Sequence, residues 1–183
     1  MKHVTLVIGH TELRQGAKNP LTGLTEFRFN SMLAMLINSK FDVRAKARGL
    51  EVKLTTVSHK YVELPSKLNK LDLDLIVAMH CNAFNTKVRG QECLYYSESR
   101  AGAVLSRTFL NAFKCFLSPY RGTKALEKGH RGFKLVKNTK AVCLIMEPFF
   151  IDNNTDTELA LRSLDTLANC YITGILDCLE RKL

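Results

Sequence analysis

Four ionisable residues stand where chemistry gathers in a folded chain: His10, Glu26, His80 and Glu147. His10 follows the apolar, β-branched run TLVI and Gly9. His80 follows the unbroken apolar run Leu75–Met79, and Glu147 follows VCLIM. Glu26 comes directly after Thr25, a residue suited to cap a helix N-terminus. Two imidazoles and one carboxylate are the donor set of a catalytic zinc site that keeps one position for water. Zinc lowers the pKa of such a water to about 7. A further carboxylate can take the proton and return it to a leaving amine. The set suits hydrolysis of an amide. Each residue also has a plainer use. A strand-end histidine is commonly structural, and Glu26 suits the positive end of a helix dipole without any ligand. Glu147 differs, because an unpaired carboxylate beside a buried strand is costly unless it has work to do.

The elements that would position these residues follow from local pattern. Val4–Gly9 reads as a first strand and Thr11–Gly23 as a loop, with Gly16, Asn19-Pro20 and Gly23 as turn signals. Thr25 opens a helix whose apolar face is Phe29, Leu33, Leu36, Ile37 and Phe41; it ends near Arg48, at Gly49. Leu50–Val57 is a second strand, and a short helix begins near Pro65. Leu75–Met79 reads as a strand buried on both faces. Gly90–Tyr96 is a further strand, and Ser99–Leu117 is a helix stopped by Pro119. Tyr120–Thr139 reads as a basic loop, Val142–Met146 as another buried strand, and Thr155–Leu183 as one long amphipathic helix. Strands alternating with helices predict an α/β domain with a mostly parallel central sheet flanked by helices. Strand C-termini and the starts of the following helices share one edge of such a sheet, so all four residues can converge.

Composition narrows the setting. The 183 residues, 46% hydrophobic and 24% charged, suit one soluble domain. No apolar run reaches the ~18 residues that span a bilayer. The N-terminal apolar run is interrupted by Gly9 and His10, unlike a secretory signal, so the chain is expected to be made in a cytoplasm. The six cysteines form no CxxC pair and read as reduced core thiols. A net charge of +10 points to an anionic partner (nucleic acid, a membrane surface or a charged cell envelope) or to a solvated basic surface. Lysine and arginine are densest from Arg121 to Lys140. No RNP-like motif or zinc-finger spacing accompanies them.

At these residues the chain resembles the zinc-dependent N-acetylmuramoyl-L-alanine amidases of the amidase type-3 family, from Val4 to about Leu159. The family's Gly-His is matched by Gly9-His10, its Gly-Ala by Gly16-Ala17, and its helix-opening glutamate by Glu26 in TEFRFN. S-x-H-x-N-A is matched by Ala78–Ala83, and G-x-E-x-x-Y-Y by Gly90, Glu92, Tyr95 and Tyr96. Leu135, Lys137 and Thr139, then VCLIM and Glu147–Asn153, follow the late L-R-x-T and E-x-G-F-x-S-N segments. Departures are Val7-Ile8 for Asp-Pro, Thr11-Glu12 for Gly-Gly, Thr56–His59 in place of an arginine-bearing loop, and Pro148-Phe149 where the family has glycine.

The resemblance implies a phosphorylase/hydrolase-like fold and one zinc per chain, held by His10, Glu26 and His80. It implies Glu147 as catalytic acid/base, and Cys81 as a neighbour rather than a ligand. The implied substrate is peptidoglycan, cut between N-acetylmuramic acid and L-alanine. Asn82 and His130 are candidate substrate contacts, with a plain surface loop as the other reading of His130. The expected setting is a phage lysis enzyme (endolysin): a monomer, one catalytic domain over 1–183 without a separate wall-binding module. It would bind neither nucleic acid nor the membrane interior, and would reach the wall once the membrane is permeabilised. The alternatives are an exported bacterial amidase, a zinc carboxypeptidase-like enzyme and a basic nucleic-acid-binding module.

Overall fold

The computed structural model describes residues 1–116 and 118–181. In chain order the strands are β1 (Lys2–Ile8), β2 (Val52–Val57), β3 (Leu75–Met79), β4 (Gln91–Tyr96), β5 (Tyr120–Leu126) and β6 (Val142–Glu147). The helices are α1 (Glu26–Ala47), α2 (Leu64–Leu68), α3 (Arg100–Asn111), α4 (Phe133–Asn138), α5 (Asn154–Arg162) and α6 (Leu164–Glu180). The six strands form one sheet in the order β2-β1-β3-β6-β4-β5. β2, β1, β3 and β6 run parallel; β4 lies antiparallel to β6, and β5 parallel to β4. The mostly parallel α/β architecture expected from the sequence is therefore present.

Burial on both faces explains the unbroken apolar strands. Every residue of β3 is buried. Because strand side chains alternate, Leu75, Val77 and Met79 join the core shared with α1, α3 and α6, while Ile76 and Ala78 join the core under α2 and α4. On the first face Phe29, Leu33, Ile37 and Phe41 of α1 are fully buried. Tyr171 of α6 meets Phe109 and Phe113 edge-on at 5.7 and 5.1 Å. Among the described residues no helix is long and apolar enough to cross a membrane.

Three segments differ from the sequence reading. The stretch read as a basic loop contains β5 and α4. β5 sits at the sheet edge, where Tyr120 and Lys124 are exposed, so its polar pattern suits an edge strand and hides it from a search for apolar runs. α3 ends at Asn111, and the following turns offer carbonyls to a buried side chain: Gln91 Nε2 donates to Phe113, Phe116 and Ser118. The expected end at Leu117 lies outside the described residues. The long C-terminal helix is two, α5 and α6, with Ser163 between them; Lys182 and Leu183 are again outside the described residues. Five of the six cysteines are buried free thiols, as expected, but Cys115 is exposed.

Asp156, in the first turn of α5, ties together the segments before β4 and after β6. It is fully buried and accepts from Arg89 Nε at 2.7 Å and from the main-chain amides of Gly90 and Phe150 at 3.1 Å each. Removing it leaves buried donors unpaired. Asp156→Ala is expected to lose about 3 kcal/mol of stability, read from a urea unfolding curve; a loss within ~0.5 kcal/mol would show that the loops do not depend on this carboxylate.

Candidate metal and catalytic site

His10, His80 and Glu147 stand at the C-terminal ends of β1, β3 and β6, which are successive strands of the sheet. Main-chain pairing continues to these residues: the Gly9 amide donates to Met79 at 2.9 Å and the His80 amide to Met146 at 3.0 Å. The Ser58 hydroxyl donates to the His10 carbonyl at 3.0 Å. His10 has a φ of 69°, left-handed backbone uncommon for a side-chain-bearing residue and found where function holds strain. Glu26 is the first residue of α1, and the Thr25 hydroxyl caps that helix by accepting from the Arg28 amide at 3.4 Å.

The three expected ligands converge. Glu26 is only 3% exposed. Its Oε1 lies 2.9 Å from His80 Nδ1 and accepts the Cys81 amide at 3.0 Å. Its Oε2 lies 3.0 Å from His10 Nε2 and accepts the Ala17 amide at 3.3 Å. Burial opposes the charge on Glu26, but hydrogen bonds to His10 and His80, and their charge, outweigh it. Together they hold the carboxyl well below the usual carboxylate range. Cys81 contributes its amide, while its thiol is buried.

This donor set fits a divalent cation of the zinc class. The imidazole nitrogens and a carboxylate oxygen all lie within 4.8 Å of one another. Bonds of ~2.1 Å at tetrahedral angles put donors roughly 3.4 Å apart, a spacing between the 2.9 and 3.0 Å contacts that the two Glu26 oxygens make to the imidazoles and the 4.8 Å that bounds the set. Two glycines keep the cradle open. A Cβ on Gly9 would lie 2.6 Å from His80 Cε1, and one on Gly16 would lie 2.6 Å from both Glu26 Oε2 and His10 Cδ2. Gly16 also has a φ of 78°, which a larger residue adopts only with strain.

Glu147 ends β6 directly opposite Glu92 of the antiparallel β4. Burial pushes its carboxyl up to about 7, with Glu92 and Glu26 adding to the rise and His80 opposing it. Glu92 is itself buried. It accepts from Asn82 Nδ2 at 2.8 Å and from Arg121 Nε at 3.1 Å, and the Arg121 guanidinium lies over the Phe150 ring at 5.2 Å. Sequence reasoning assigned no role to Glu92 or Arg121. The first carried a signal, the glutamate of the G-x-E-x-x-Y-Y match; the second was hidden in the segment read as a loop.

Asn82 is adjacent, but its amide is engaged with Glu92 and its carbonyl oxygen accepts the Ala83 amide at 2.9 Å, so its side chain fixes the site's wall. His130 is not brought to the cluster. It is an exposed turn residue between β5 and α4, and its Nδ1 accepts the Glu127 amide at 3.0 Å.

An α/β sheet that gathers this donor triad and a proton-holding carboxylate on one edge has the architecture of an amidase. A family model described as N-acetylmuramoyl-L-alanine amidase matches residues 4–177, and the chain belongs to that family. Solved structures share the fold. An N-acetylmuramoyl-L-alanine amidase from Clostridium difficile 630 superposes with a TM-score of 0.86 at 16% identity, covering 100% of this chain and 98% of that one. The catalytic domain of the amidase CwlV from Bacillus (Paenibacillus) polymyxa var. colistinus gives 0.78 at 21%, covering 98% and 96%. The catalytic domain of the CD27L endolysin targeting Clostridia difficile gives 0.76 at 21%, covering 96% and 97%. No curated protein matches by sequence.

Two outcomes test this geometry. Gly16→Ala is expected to weaken zinc affinity at least about tenfold in a chelator competition; unchanged affinity would mean that the cradle does not bind the ion. The Glu147 carboxyl, raised from 4.5 to about 7, makes a stability contribution that is present below pH 4.5 and lost as pH rises through 7. In metal-stripped protein, Glu147→Gln is therefore expected to match wild type near pH 4.5 and to exceed it by about 1–3 kcal/mol at pH 8. A gap that does not change with pH would contradict the assignment.

Proposed function

We propose that the protein is a zinc-dependent N-acetylmuramoyl-L-alanine amidase that hydrolyses the amide joining the lactyl group of N-acetylmuramic acid to L-alanine of peptidoglycan. The observation that carries this reading is the convergence of His10, Glu26 and His80 with Glu147 on one sheet edge, in a chain of this family. His10 Nε2, Glu26 and His80 Nδ1 would hold the ion. When bound, zinc supplies a Lewis acid that polarises the scissile carbonyl and makes water a nucleophile at neutral pH.

The chain's own residues perform the proton transfers. Glu147 takes the proton from the attacking water and returns it to the leaving alanine nitrogen, for which a carboxyl titrating near 7 is matched. Glu92, fixed by Asn82 and Arg121, keeps a second carboxylate beside Glu147 and so favours its protonated form. Asp156 and Asn153 hold the loop after β6 in place, the second by capping α5 and donating to the Thr86 carbonyl at 2.7 Å.

The physiological setting that fits is cell lysis. Likeness to an endolysin catalytic domain supports it, and the basic surface suits an approach to an anionic envelope. Cells producing the protein are then expected to lyse when a membrane permeabiliser is added and to remain intact before; lysis without permeabiliser would point to export.

Purified cell walls treated with the enzyme are expected to lose turbidity and release L-alanine amino termini. Release of reducing sugar instead would make it a glycosidase, and activity on simple peptides alone would make it a peptidase. Glu147→Gln is expected to keep its zinc and lose at least about a hundredfold in rate; full activity would remove Glu147 from the mechanism.

A further inference from the structure

Ion pairs cover part of the basic charge. On the α1, α5 and α6 side, Arg48 pairs with Asp177 and Glu180, Lys40 with Asp165, and Arg162 with Glu158, while Arg28, Arg44 and Lys46 of α1 are in no ion pair among the described residues. The opposite side of the sheet is covered by α2 and α4, which bury Leu64, Leu68, Leu135 and Val136 against it. The two helices form one surface. The Tyr61 hydroxyl accepts the Leu135 amide at 3.2 Å, Asn69 Nδ2 donates to the Asn138 carbonyl at 2.8 Å, and Asn69 Oδ1 accepts the Lys140 amide at 2.8 Å. Lys60, Lys67, Lys70, Lys134, Lys137 and Lys140 are exposed on it, with Lys137 Nζ lying 5.4 Å over the Phe133 ring and 5.9 Å over the Tyr96 ring. Among the described residues only Lys67 of these six has a carboxylate partner, Glu63 at 3.0 Å.

Apolar side chains are exposed within the same surface. Val62 is 82% exposed, Tyr61 and Leu71 each 42%. They occupy the segment that carries Lys60, Lys67 and Lys70. A water-soluble polyanion would satisfy the lysines and leave these side chains in water. A bilayer interface takes both, with lysines at the phosphates and apolar groups at the acyl boundary.

We propose that the α2–α4 face is a docking surface for an anionic lipid bilayer, separate from the catalytic edge. It binds the membrane peripherally, through lysine–phosphate attraction and shallow insertion of Val62, Tyr61 and Leu71. Each lysine near an anionic surface is worth about a fivefold gain in binding, and the gain falls with salt. Catalysis is not part of the proposal, so binding is read without turnover.

The test is co-sedimentation of the full chain with vesicles of phosphatidylglycerol and phosphatidylcholine in equal parts, against vesicles of phosphatidylcholine alone. Pelleting is expected only with the anionic vesicles and is expected to weaken as salt rises from 20 to about 500 mM. Lys134→Glu with Lys137→Glu and Lys140→Glu is expected to reduce vesicle affinity at least tenfold, while Arg44→Glu with Lys46→Glu on α1 leaves it within about twofold. Val62→Ser, a change at an exposed position, is expected to remove most of the binding that survives high salt, and it keeps the test open should the triple variant fold poorly. Equal pelleting with both vesicle types, equal loss in the α1 variant, or binding to duplex DNA with vesicles left unbound would each overturn the proposal.

Discussion

Everything at the catalytic edge depends on one buried carboxylate. Glu26 sits almost out of water between two imidazoles and two main-chain amides, from Ala17 and Cys81. A lone charge there would be prohibitive. It is stable only because every other element of the site is placed to meet it. β1 and β3 are neighbouring strands, so their terminal histidines are a strand spacing apart, and the start of α1 brings the carboxylate beneath both. Gly9 and Gly16 leave out the Cβ atoms that would occupy that space. The parallel sheet buries both faces and thereby fixes the strand ends that carry His10 and His80.

The reversal of β4 makes the second half of the site. A parallel strand beside β6 would bring its C-terminal end to this edge. Running antiparallel, β4 instead places its start there, so Glu92 faces Glu147 and Arg121 arrives with the start of β5. Glu92 is engaged by Asn82 and Arg121, while burial, with Glu92 and Glu26 nearby, raises the Glu147 carboxyl. The two glutamates differ in environment rather than in type, the usual way a pair of carboxyls acquires distinct roles.

Much of this was legible in the sequence, and what was not has a physical cause. Fully buried strands announce themselves, so β3 and β6 and their terminal His80 and Glu147 could be read directly. The capping of α1 by Thr25, and with it the place of Glu26, followed from local chemistry. β5 was invisible because an edge strand needs one apolar face at most, and Arg121 was lost with it. The antiparallel order of β4 is a choice between tertiary pairings that no local pattern records. His130 was singled out for its type within a basic segment, yet the structure uses it to close its own turn. The break at Ser163 is masked by an apolar pattern that continues across it.

The central claim is that His10, Glu26 and His80 hold the ion around which the rest is built. Crystals grown with zinc and measured on both sides of the zinc absorption edge test it most directly. The account requires one anomalous peak per chain, bonded to His10 Nε2, a Glu26 oxygen and His80 Nδ1, beside Glu147. A fully loaded protein with no peak between those three residues, or with its zinc on thiols elsewhere, would contradict it.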